Sequence, residues 1–162
     1  MNKSLLISSI IILCTIGLSV VTYNRWWELR FEVEPVYFSH LLGWLGFAFI
    51  AIWTPIYYYL KRKIPTKFRM MLTIHNIGNL LAFMLISMHF AQQVGRPAEY
   101  YPALGTGLVL YVSVCLMVIC GFLLRFQLAR RLNGYWRFIH TSFVLPFYLM
   151  VIIHILHGFG IV

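Results

Sequence analysis

Residues 71–89 read MLTIHNIGNLLAFMLISMH, an apolar run with a histidine near each end. At 1.5 Å of rise per residue a helix of about twenty such residues crosses a hydrocarbon core of roughly 30 Å. A second stretch, residues 138–154, reads FIHTSFVLPFYLMVIIH and repeats the pattern. In both, the histidines stand fourteen positions apart: His75 and His89, then His140 and His154.

Outward from these two stretches, the rest of the chain is similar in character. Of 162 residues, 61% are hydrophobic and only 10% charged, and the mean hydropathy is +0.82. Soluble domains carry about 25% charged residues, so this composition belongs to a membrane protein. Five spans are read at about 4–23, 36–60, 70–92, 105–126 and 138–161, forming a single transmembrane domain over residues 1–162. Segments this long, in a medium that offers backbone groups no water, must close their hydrogen bonds within themselves. The predicted fold class is all-α, an integral membrane bundle of five transmembrane helices. Pro55 and Pro146 lie inside two of the spans, and kinks are expected there. No small-x-small cleavage site follows the first span, which is therefore expected to remain as a helix.

The net charge of +9 does not read as a nucleic-acid signal, because the basic residues sit in the links. Lys61, Arg62, Lys63, Lys67 and Arg69 fill the link after span two, and Arg125, Arg130, Arg131 and Arg137 mark the one after span four. In a five-span chain these links share a side, with Lys3 ahead of span one. The positive-inside rule places that side in the cytoplasm. All four acids, Glu28, Glu32, Glu34 and Glu99, fall in the opposite links. The expectation is a multi-pass protein of the cell membrane with the N-terminus cytoplasmic and the C-terminus outside. Cys14, Cys115 and Cys120 form neither a C-x-x-C pair nor a C-x-x-C-H attachment motif and read as apolar filler.

Fourteen helical residues rise about 21 Å and fall about 40° short of four full turns. Each histidine pair therefore lies on one helix face, near opposite leaflets. Spans three and five run in the same direction, so His75 is level with His140 and His89 with His154. Two level pairs of imidazoles meet the requirement of two stacked haems for an axial ligand on either face of each iron. Six-coordinate bis-imidazole iron suits electron transfer rather than oxygen binding. The second nitrogen of each ring needs an acceptor, a backbone carbonyl or Ser87, Thr141 or Ser142. A zinc or copper channel would add cysteine or carboxylate ligands, and the spans hold no acid. The plainer alternative is that each histidine is an interhelical polar contact.

Other residues support this reading more weakly. Arg69 and Arg137 on the inner side and Arg96 on the outer are placed to pair with haem propionates, or serve as interfacial cations. His157, seventeen residues from His140, swings about 100° off the shared face and is left out as a ligand. It and His40 lie toward the outer end, within reach of a propionate or a substrate there. Gly43, Gly46, Gly78 and Gly121 offer either room for a porphyrin edge or close helix packing. Trp26, Trp27, Trp44, Trp53 and Trp136, with many tyrosines, form an interfacial belt.

At these residues the chain resembles the diheme b-type cytochromes in two branches. One is the ferric-reductase-like transmembrane domain shared with NADPH oxidases, whose fifth span often begins Trp-Arg-x-x-His; here Trp136, Arg137 and His140 fit that pattern. The other is the cytochrome b of quinol:cytochrome c oxidoreductases, with the same ligand spacing and a Leu-Pro-Phe similar to Leu145, Pro146 and Phe147. The likeness covers residues 36–161. It implies two haem b groups, one near each membrane face, with His75 and His140 on the inner iron and His89 and His154 on the outer. No flavin or nicotinamide-binding stretch and no Pro-Glu-Trp-Tyr occurs in these residues. Electrons are thus expected to come and go through a redox partner protein, a quinone, or a larger respiratory or reductase complex. Two alternatives stay open: an oxidoreductase acting on quinol, superoxide or ferric iron at the outer haem, and a haem-free anchor or assembly subunit.

Overall fold

The computed structural model describes residues 3–27, 29, 31–33, 36–97 and 104–158. Glu28, Arg30, Glu34 and Glu99, and the last residues assigned to span five, lie outside the described residues. Six α-helices account for the five spans: α1 (Lys3–Tyr23), α2 (Phe38–Lys63), α3 (Phe68–Val94), α4 (Gly105–Phe126), α5 (Asn133–Ser142) and α6 (Val144–Gly158). Between α1 and α2 a minimal antiparallel ladder, β1 (Glu32–Val33) and β2 (Val36–Tyr37), brings Phe31 and Phe38 into a stack at 4.6 Å. The chain is an all-α, multi-pass membrane protein, with five helical segments long and apolar enough to cross a bilayer. It divides into two compact units, residues 1–95 and 96–162.

In the first unit α3 packs against both α1 and α2. The face that α1 buries is hydroxylic: Ser8 and Thr22 are completely covered and Thr15 nearly so, while Leu6, Ile10, Leu13, Ile16 and Val20 point outward. This inversion follows from the solvent. Lipid rewards no burial of leucine, so helices associate through small side chains that let backbones approach and through interhelical hydrogen bonds. One such bond runs from Asn76 Nδ2 of α3 to Ser8 Oγ at 2.8 Å. At the other end Arg25, with a left-handed φ of 57°, donates from Nε to the Gly95 carbonyl at 3.0 Å. A Cβ on Gly95 would lie 2.8 Å from the Tyr23 carbonyl oxygen, so only glycine permits this approach.

The second unit packs α4 against α5 and α6. Gln127 ends α4 in the left-handed region at φ 55°, and its side chain accepts from Asn133 Nδ2 at 2.8 Å across the turn into α5. Span five is interrupted at Phe143, one turn before Pro146. Proline has no N–H to return to the Ser142 carbonyl, so the ladder skips there. The bonds on either side, Phe143 N–H to Ile139 O at 3.1 Å and Phe147 N–H to Phe143 O at 3.0 Å, remain. Pro55, by contrast, lies within an uninterrupted α2.

Candidate functional site

All four predicted ligand histidines lie on helices and lean on the neighbouring helix of their own unit. His89, near the C-terminal end of α3, donates from Nδ1 to the Ser39 carbonyl on α2 at 2.8 Å. His140, in the last turn of α5, donates from Nδ1 to the Met117 carbonyl on α4 at 2.9 Å. A carbonyl only accepts, so Nδ1 carries the proton in both rings and the imidazole lone pair resides on Nε2. His154 on α6 shares a 2.9 Å hydrogen bond between Nδ1 and the Thr106 hydroxyl of α4.

Each of these three imidazoles rests over a glycine. A Cβ at Gly43 would lie 3.0 Å from His89 Cγ, one at Gly121 3.1 Å from His140 Cε1, and one at Gly107 3.3 Å from His154 Cε1. The rings are therefore set against bare backbone. His75 is held differently. Its ring stacks on Tyr57 of α2 at 4.4 Å and 14°, and the Asn79 amide one turn along α3 lies 3.1 Å from Nδ1 and 3.5 Å from Nε2. The residues beneath the histidines repeat the ligand spacing: Gly43 and Tyr57 on α2, Gly107 and Gly121 on α4, each pair fourteen apart.

The other sequence candidates divide. Gly43 and Gly121 lie against the His89 and His140 rings, an arrangement that neither of their two readings named. Gly46 and Gly78 instead serve packing: a Cβ at Gly46 would lie 2.7 Å from the Ala82 carbonyl oxygen, and one at Gly78 would collide with the Phe49 ring. Arg69 and Arg137 are exposed, and their carbonyls accept from the hydroxyls of Thr73 and Thr141. Arg96 is half-buried just beyond α3, and His157 is exposed at the end of α6. His40 is brought to the site, its ring 5.4 Å from that of His89 and 6.1 Å from Tyr37.

Thr106, Gly107, Tyr57, Asn79 and the Ser39 and Met117 carbonyls were missed by sequence reasoning. A search for residues fourteen apart on spans two and four would have found Gly43 with Tyr57 and Gly107 with Gly121. The two carbonyls carry no signal in side-chain identity. Thr141, expected as an acceptor, donates to the carbonyls of Arg137 and Phe138. Among the described residues no three His, Cys, Asp or Glu side chains converge as a metal site. Comparison with known protein families, curated proteins and solved structures returns no match for this chain.

Proposed function

We propose that the protein is a membrane diheme cytochrome b that carries electrons across the bilayer, with His75 and His140 on the inner haem iron and His89 and His154 on the outer. The observation that carries this reading is the pair of Nδ1–H donations from His89 and His140 to main-chain carbonyls. Each proposed iron would thereby have one ligand whose tautomer and ring orientation are fixed in advance, with Nε2 as the basic nitrogen. The donor set also fits: imidazoles, with glycine beneath three of them where a larger residue would crowd the ring.

When bound, the haems supply one-electron chemistry; the polypeptide orients the ligands, excludes water and sets the local dielectric. The carbonyl acceptors raise imidazole basicity and hold Nε2 in place. Arg69 and Arg137 are assigned to inner propionates and Arg96 to outer ones, as charge-assisted partners. The basic links are assigned to the cytoplasm, which puts the N-terminus inside and the C-terminus outside a cell membrane. The electron donor and acceptor are assigned to a partner protein or quinone.

A dithionite-reduced spectrum of the purified chain tests the reading. Low-spin b bands at about two haems per chain are expected. Absence of haem after expression with excess haemin would leave a haem-free anchor. One observation favours a second reading, oxidation or reduction of a small substrate at the outer haem: His40 stands beside His89. On that reading His40→Leu would retain both haems and lose turnover with quinol, superoxide or ferric iron, whereas a plain electron carrier would show no such turnover in the wild type.

A further inference from the structure

The inner end of α2 carries a second device, which begins at the Tyr57 ring that stacks on His75. Residues 57–63 read YYYLKRK, so each of three tyrosines has a cation four positions later, one helical turn on. Those cations fold back over the rings. Lys61 Nζ lies 5.4 Å from the Tyr57 ring centre and 4.8 Å from that of Tyr58. The Arg62 guanidinium lies 4.2 Å over Tyr58 and donates to its hydroxyl, and Lys63 Nζ lies 6.0 Å over Tyr59.

The link continues with Lys67, giving four cations in seven residues with no acid among them. Between the cations, Ile64 and Phe68 are 37% and 41% exposed. We infer that residues 57–68 form a binding surface for anionic phospholipid, with Lys61, Arg62, Lys63 and Lys67 on headgroup phosphates and Ile64 and Phe68 among the acyl chains.

Two features favour lipid over an acidic soluble protein. The tyrosines belong to the aromatic belt at the edge of the hydrocarbon. Cations held against those rings stay at headgroup depth, whereas a soluble partner is met best by side chains extended into water. The interleaved Ile64 and Phe68 likewise suit a surface that dips into a monolayer. Basic residues at such a position each contribute to attraction for anionic lipid, and they act within a Debye length of it.

The test is lipid retention by the purified full-length chain in native mass spectrometry, comparing phosphatidylglycerol with phosphatidylcholine of the same chains. Wild type should prefer phosphatidylglycerol. The triple variant Lys61→Gln, Arg62→Gln, Lys63→Gln should lower that preference by roughly 100-fold, each charge being worth somewhat under a decade. The double variant Tyr58→Leu, Tyr59→Leu keeps every charge and still should lose part of the preference; it also answers for the triple variant if that one fails to fold. Equal retention of the two lipids by wild type, or an unchanged preference in both variants, overturns the inference. So does displacement of the lipid by millimolar glycerol phosphate, which would make this a free-phosphate site. Binding of poly-glutamate by the wild type without any lipid preference would assign the surface to a soluble acidic partner and overturn it equally.

Discussion

At the scale of single residues, a histidine in lipid is costly unless its polar atoms are used, and here the use is visible on the Nδ1 side. His89 and His140 each give their Nδ1 proton to a main-chain oxygen that no side-chain substitution removes. On the proposed function, His89→Ala and His154→Ala should each remove only the outer haem, halving the haem content while the inner b band survives. If His157→Ala abolished a haem and His154→Ala did not, the ligand assignment would be wrong. The glycines beneath the rings offer a subtler check. Gly121→Val should push the His140 ring from its place and reduce inner-haem occupancy, since even a Cβ there approaches Cε1 to 3.1 Å. Gly17→Val, where nothing lies within 4 Å, should change haem content little. Haem-to-protein ratios of the two variants measured side by side decide this.

Among elements, the seam between α1 and α3 shows how a lipid-solvated bundle chooses its faces. Its buried stripe of Ser8, Thr15 and Thr22 was not anticipated, because a search for apolar periodicity sees only a uniformly oily helix. Asn76→Leu removes the 2.8 Å bond to Ser8 and should destabilise the unit by about 0.6 kcal/mol, up to about 1.7. Gly46→Leu should do more harm, because the side chain would have to enter where a Cβ alone reaches 2.7 Å from the Ala82 oxygen. Unfolding of the two variants in mixed detergent, followed by circular dichroism, should rank Gly46→Leu well below Asn76→Leu. Span five makes a related point. Its interruption at Phe143 follows from Pro146 and falls about one turn before the proline itself.

For the whole molecule, five crossings put the link around Thr66 on the opposite side from the loop before α2. A cysteine introduced at Thr66 should be labelled by a membrane-impermeant maleimide only after cells are broken, if the basic links face the cytoplasm. Labelling in intact cells would invert the orientation and with it the terms inner and outer. Five membrane-length helical segments, their approximate ends, the link charges and the four spaced histidines could all be read from the chain, since each depends on composition and helical period along one segment. Which carbonyl each imidazole meets, which glycines lie under rings rather than under backbone, and which face α1 buries could not. Those depend on how one helix is rotated against another, and in lipid that rotation is chosen by contacts between small and polar groups on different segments, not by a hydrophobic stripe written into either one.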